Sequence, residues 1–267
     1  MARPDELGNK IKALESLEAG RTLMPYLPIV ARLDGKAFHT FTKGLEFPID
    51  MRLRDAMSET TKYLVSEFQA AIGYTQSDEI SLVFLAPTYP KDRLFDGRIQ
   101  KLCSILAAKA SVKFNLEIAT RLPHKAKETP VFDARVFNAP SLEFAADTLM
   151  WRELDATKNS ISMAARAFYS QKEVNGKKSA ELHEMLRAKG VNWNDYPSFF
   201  KKGSYFKKIN VVKTLDPSVL VKIPVKHRPT DPVYRSVISE LDIPPLSKLE
   251  NAADVLFKGR SPILKSV

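Results

Sequence analysis

The chain has 267 residues, 44% of them hydrophobic and 27% charged, which excludes a mainly disordered polymer and allows one large domain or two small ones. Lysine and arginine number 41 against 31 acidic residues, a net charge of +10 that points to a polyanion, RNA or DNA first, with a basic enzyme for phosphorylated small molecules as the alternative. The lone Cys103 excludes an internal disulfide and a CxxC knuckle, and no apolar run is long enough to span a membrane, so a cytoplasmic protein is expected.

Residues 6–19 read as a short helix ending at Gly20. LPIVARLDG, residues 27–35, is an apolar run closed by a glycine, the pattern of a buried strand. After a loop, Asp50 is placed to cap a helix with Leu53, Met57, Thr61, Leu64 and Phe68 on its inner face. YTQSDEISLVFLAP predicts two strands folded over a tight turn near Gln76 to Glu79. A second long helix is expected from about Gly97 to Ala119, with Ile99, Leu102, Leu106, Ala110 and Phe114 facing the core. Residues 131–139 read as another strand, and Ser141 caps a third long helix reaching about Tyr169. SAELHEMLRAKG is a shorter helix ending at Gly190.

The first 140 residues thus run βαββαβ, an α+β (α/β sandwich) order of the ferredoxin-like kind, with helices on one face of the sheet. Polymerase and cyclase palms share that order, so it does not by itself give a function. We read residues 1–140 as a palm-like catalytic unit and 141–213 as a helical extension packed on it. Residues 214–267 hold 7 of the 17 prolines and are expected to form extended segments wrapping the body, or an appendage.

The sequence has no GxxxxGK[ST] loop, and its four histidines do not fall at zinc spacing. Metal chemistry here would use oxygen ligands and a hard cation such as Mg²⁺. Two carboxylates stand out. Asp34 ends a buried strand, and Asp78 sits in the next hairpin turn, followed by Glu79. In a βαββαβ sheet the first strand lies beside that hairpin, so the pair is placed to share metals in phosphoryl transfer. Asp-Gly and Ser-Asp-Glu are also ordinary turn sequences, and spacing alone leaves both readings open.

The flanking residues go further. ARLDGKAFHTF (residues 31–41) and YTQSDEISLVF (residues 74–84) resemble the two ungapped blocks of the tRNA-His guanylyltransferase family and its guanylyltransferase-like 3′–5′ polymerase relatives. FDARV (132–136), the Trp151, Arg152, Asp155 and Asn159 series, and Lys202-Gly203 are weaker matches, so the resemblance covers about residues 25–210. It implies a nucleotidyltransferase that adds nucleotides to the 5′ end of tRNA, using two Mg²⁺ ions, GTP and ATP, in a dimer or tetramer. Asp34 and Asp78 match the catalytic metal carboxylates, and Gly35 matches a carbonyl ligand. Lys36, Ala37, Phe38 and His39 match the loop whose amides hold a nucleoside triphosphate, and Ser77 matches a further contact. Arg32, Arg98 and Lys101 match basic residues near triphosphates, with Asn159 and Lys202 as further nucleotide contacts and Glu79, Arg152 and Asp155 in support. Lys101, Lys109, Lys113, Lys201 and Lys202 are candidate RNA or triphosphate contacts. Thr157 and Phe47 depart from the strict branch of the family, where a histidine and a lysine are expected, and resemble the guanylyltransferase-like branch. A nucleotidyl cyclase and a non-catalytic basic RNA-binding protein are the alternative readings.

Overall fold

The computed structural model describes residues 4–86, 89, 92–212, 221, 224 and 232–266. In chain order the elements are α1 (Pro4–Ala19), β1 (Ile29–Gly35), α2 (Phe38–Phe41), α3 (Met51–Phe68), β2 (Ile72–Gln76), β3 (Glu79–Phe84) and α4 (Ile99–Arg121). They continue with β4 (Phe132–Asn138), α5 (Leu142–Arg166), α6 (Gln171–Val174), α7 (Ser179–Ala188), α8 (Ser198–Lys202), β5 (Ser204–Val212) and β6 (Tyr234–Glu240).

The six strands form one antiparallel sheet in the order β4-β1-β3-β2-β5-β6. Its first four strands carry the ferredoxin-like order read from the sequence. The apolar strands β1 and β3 lie inside the sheet, and β3 is buried on both faces apart from Glu79 at its start. The expected caps are present. Asp50 accepts the amides of Arg52 and Leu53 at the start of α3, and Ser141 accepts that of Phe144 at the start of α5.

Helices on one face describe only half of the molecule. Ala31, Leu33, Ile80 and Leu82 face α3 and α4, whose Met57, Leu64, Leu106 and Phe114 complete that core. The opposite residues, Val30, Ile72, Tyr74 and Val83, pack under Ala145, Ala146 and Leu149 of α5. The reason is in the strands themselves: a run apolar at consecutive positions must be covered on both sides. Leu246, Leu249 and the Val255–Phe257 segment join this second core, while β6 pairs with β5 and widens the sheet. Pro217 and Pro229, counted in the proline-rich stretch, lie outside the described residues. A third cluster joins the C-terminal half of α5 to α7 and α8 through Ile161, Leu182, Leu186 and Phe200.

Candidate active site

The site is built where β1 ends. Alternation along the strand turns Ala31 and Leu33 toward α3 and α4, and Arg32 and Asp34 toward the α5 side. Asp34 is in register with Glu79 on β3 and with Asp133 on β4, so three carboxylates share this corner of the sheet. Asp78 stands one residue before Glu79, in the turn of the β2–β3 hairpin. The Gly35 N–H donates to the Asp78 carbonyl at 3.0 Å, which locks the strand end to the turn. The return bond is missing. The Asp78 amide turns to its own carboxylate, and the Phe132 amide on the other side donates to Ser111 Oγ at 2.9 Å. The Gly35 carbonyl thus receives no bond from the Asp78 amide and lies beside the two aspartates.

Burial raises the Asp78 carboxyl above its usual range, and the charges of Asp34 and Glu79 add to the rise against hydrogen bonds from Ser77 and its own amide. Neither Asp34 nor Asp78 has an ion pair among the described residues. Two half-buried carboxylates facing each other with no cation among the described residues are a set of donors suited to a hard cation. Among the described residues no three His, Cys, Asp or Glu side chains converge as a closed metal cage. A cation here would bind to Asp34, Asp78, the Gly35 carbonyl and oxygens of a ligand, the open arrangement typical of Mg²⁺ at phosphate sites.

The next four residues form a tight loop for a packing reason. A Cβ on Gly35 would meet the Phe38 ring at 2.4 Å, so glycine is required where that ring folds back over the strand. Phe38 is buried against Phe41, Phe114 and Phe132, with ring centroids 5.3 Å away in each case. Its side chain belongs to the core, and only its amide is available to a ligand. Ala37 is held left-handed at φ 56° and Ser77 at φ 54°, two non-glycine residues in a costly conformation on either side of Asp34 and Gly35. The Lys36 amide is already given to the Val131 carbonyl at 2.9 Å. The amides of Ala37, Phe38 and His39, at the opening of α2, have no acceptor among the described residues. The His39 ring is exposed and 3.1 Å from Thr40 Oγ1.

Helix α5 closes the site from above. Arg152, buried, forms an ion pair with Glu79 and a second with Asp155 at 3.2 Å, and Asn159 Nδ2 donates to Asp155 at 3.2 Å. Arg152, Asp155 and Asn159 thus lie along one helix face and are tied through Glu79 to the hairpin. Next to them, a cleft of about 100 Å³ opens between the hairpin, the start of α3 and α8, walled by Ile49, Leu53, Met57, Met163, Phe199 and Phe200. Ser77 and Gln76 line it too, so the cleft adjoins the carboxylate pair.

Other expected residues are not gathered here. The N-terminal end of α4 is fixed to residues 21–23: the Ile99 amide donates to the Arg21 carbonyl, and Thr22 bridges to Arg98. Phe114, sixteen residues along the same helix, packs on Phe38. At about 1.5 Å per residue, Arg98 and Lys101 lie on the order of 20 Å from the Gly35 corner of their own chain. Lys101 stands over the Phe95 ring at 5.3 Å. Lys202 donates to the Ile243 carbonyl, and burial lowers the pKa of its ammonium. Lys109 is held by Glu67 at 2.7 Å, Lys113 by Glu117 at 2.5 Å, and Lys201 by the Asn194 carbonyl at 2.5 Å. These lysines already have partners within the fold, which charge counting does not reveal.

Two residues were not singled out in the sequence. Asp133 enters only through strand register, and its sole signal was its place in the FDARV segment. Glu153, 1% exposed, accepts the Tyr205 hydroxyl at 2.9 Å and the Leu246 amide at 2.8 Å, and burial raises its carboxyl. It ties α5 to β5 and to the C-terminal segment. No local pattern marks it.

Residues 9–140 match the family model described as tRNAHis guanylyltransferase (Thg1). A tRNA(His) guanylyltransferase of Saccharomyces cerevisiae is 30% identical over 232 residues, covering 78% of this chain and 96% of that protein. The chain belongs to the tRNA-His guanylyltransferase family. A bacterial tRNA(His) guanylyltransferase-like protein in complex with ATP superposes with a TM-score of 0.76 at 29% identity, over 94% of this chain and 98% of its own. A GTP complex of a bacterial tRNA(His) guanylyltransferase-like protein gives 0.70 at 30% identity, over 91% and 94%. Membership makes the chain a nucleotidyltransferase of a metal-dependent family. No helix among the described residues is long and apolar enough to cross a membrane.

Proposed function

We propose that this guanylyltransferase-family enzyme adds nucleotides to the 5′ end of tRNA, in the 3′–5′ direction, at the corner formed by Asp34, Gly35 and Asp78. The observation that carries the reading is the pair of aspartates beside the Gly35 carbonyl, next to a cleft with apolar walls. Asp34, Asp78 and the Gly35 carbonyl would hold two Mg²⁺ ions, which when bound acidify a ribose hydroxyl and neutralise triphosphate charge. The protein's own contribution is orientation. The free amides of Ala37, Phe38 and His39 offer donors to the triphosphate oxygens, preset by the Phe38 anchor. Ser77 hydrogen-bonds Asp78 and borders the cleft, where apolar walls would receive the base. Arg32, on the same face as Asp34, supplies a guanidinium with no ion pair among the described residues, and Lys36 an exposed ammonium. Arg152, Asp155 and Asn159 hold Glu79 and the hairpin in register.

The 3′-hydroxyl of the bound nucleoside triphosphate would attack the α-phosphate at the activated 5′ end of the RNA, forming a phosphodiester and expelling pyrophosphate from a triphosphate end or AMP from an ATP-activated one. Activation of a 5′-monophosphate by ATP is expected to be slow here. Thr157 gives its hydroxyl to the Glu153 carbonyl at 2.9 Å and has no imidazole to offer. Phe47 carries no charge, and the Arg166 guanidinium lies over its ring at 5.9 Å. RNA ends that already carry a triphosphate should be extended faster, with the opposing strand of the acceptor stem selecting the nucleotide. We also expect a cytoplasmic enzyme working as a dimer or tetramer.

The test is incubation with labelled tRNAs, full-length and shortened by one 5′ nucleotide, bearing mono- or triphosphate ends, with each nucleoside triphosphate in turn. Template-matched extension of the shortened triphosphate tRNA is expected to be fastest. Faster addition to full-length monophosphate tRNA-His, indifferent to the opposing base, would restore the strict guanylyltransferase reading. Cyclisation of GTP without RNA would replace both.

A further inference from the structure

Trp151 is 53% exposed, an unusual position for the largest side chain on a helix that covers a core. It does not stand alone. The Arg32 guanidinium lies 5.7 Å from its ring centroid and that of Arg152 lies 4.6 Å away. Arg152 is fixed by its ion pairs to Glu79 and Asp155. Arg32 is fixed by β1 and has no hydrogen bond or ion pair among the described residues, so its charge is directed to nothing but the ring. β1 sets this cluster in register with the carboxylates: Arg32 and Asp34 are two residues apart on one face, about 7 Å along the strand. β4 is the edge strand beside them.

We propose that Trp151, braced by Arg32 and Arg152, is a stacking platform for the base at the 5′ end of the RNA acceptor. An exposed indole flanked by guanidinium groups suits a nucleobase, which offers a π-face whatever its identity. The neighbouring phosphate meets the uncommitted charge of Arg32. The cleft at the hairpin is lined by other residues altogether, which assigns the incoming nucleotide and the RNA end to separate surfaces meeting at Asp34. The platform would align the end to be extended with no reading of its sequence. This inference rests on RNA being the acceptor, as proposed above.

The chain has two tryptophans, so Trp193→Phe leaves Trp151 as the sole indole reporter. Fluorescence of that variant is followed while an acceptor-stem RNA hairpin with a 5′-triphosphate is added without nucleoside triphosphate. Binding is measured in parallel by anisotropy of the labelled hairpin. Quenching with the midpoint of the anisotropy curve is expected. In the parent background, Trp151→Ala should raise the RNA Kd and KM about tenfold, with kcat at saturating RNA and KM for the nucleotide unchanged, and Trp151→Phe should restore most of the loss. Equal RNA affinity in Trp151→Ala, with no quenching, would overturn the platform and leave RNA extension standing. Quenching by GTP alone would assign the ring to the incoming nucleotide and overturn it likewise. Failure of the parent protein to bind or extend any RNA would overturn the functional reading and the platform together.

Discussion

Two carboxylates, buried Glu153 and half-buried Asp78, are each pushed up by desolvation and have opposite surroundings. Glu153, under α5, has both oxygens occupied, one by the Tyr205 hydroxyl and one by the Leu246 amide. Asp78, at the hairpin turn, has only Ser77 and its own amide, and it faces the charge of Asp34. The first is a completed network that joins α5, β5 and the C-terminal segment. The second is left incomplete, between two left-handed non-glycine residues and beside the Gly35 carbonyl. A buried polar group satisfied by the fold contributes to the fold, whereas one left unsatisfied is held in place by the rest of the structure for a ligand.

That contrast can be broken most sharply at the turn. Asp34→Ala or Asp78→Asn should lower nucleotide addition by about 10³-fold or more, the scale of losing charge stabilisation at a reacting phosphate. Neither should unfold the protein. The carboxyl of Asp78 is raised, so the folded state holds its proton more tightly than the unfolded chain does. Its contribution to stability is full at low pH and is lost as pH rises through the folded value. Metal-free Asp78→Asn should therefore melt higher than the parent at neutral pH and show a flatter stability profile, measured by thermal scans across pH. A lower melting temperature with activity retained would reverse the assignment of roles.

Glu153→Ala should do the opposite, costing about 3 kcal/mol in denaturant unfolding because two buried donors lose their acceptor, while activity per folded molecule changes little. Glu153→Gln keeps an acceptor and should cost less. Its raised carboxyl has the same sign as that of Asp78, so both variants flatten the fall in stability with rising pH.

Asp50 offers a third carboxylate of the other sign. The Arg52 guanidinium and three amides hold it down at about 2 from an ordinary 3.8. The stability it contributes is present above the ordinary value and disappears as pH falls toward 2. Asp50→Ala should cost about 2 kcal/mol at neutral pH, as expected for a helix cap with an ion pair, and nothing in strong acid. The smallest effect is expected at Lys36. Lys36→Ala should weaken tRNA binding by about threefold at low salt and less at high salt, since an exposed ammonium acts through screened charge.

The first four strands were legible because they are apolar runs bounded by turn residues, and the helices because Asp50, Ser141 and the spacing of their core residues mark them, whereas β5 and β6, in stretches read as a helical extension and a proline-rich tail, were not. Asp34, Gly35 and Asp78 were legible because they sit in two ungapped blocks. What escaped was everything that depends on register or distance along an element. Arg98 and Phe114 belong to one helix in sequence, yet its length sends them far apart, Arg98 at its N-cap and Phe114 deep along its buried face. Lys109 and Lys113 count toward the net charge but are matched by Glu67 and Glu117.

The chain's local chemistry thus determined which residues form the first four strands, where helices begin, and that a glycine must follow Asp34. Tertiary structure alone decided that Asp133 joins Asp34 across β4, that Glu153 is buried with two donors and Asp78 is not, and that Trp151 stays exposed beneath two arginines. Hydrogen-bond satisfaction and burial are properties of what the chain brings together from far apart in sequence, and a residue's neighbours along the chain do not encode them.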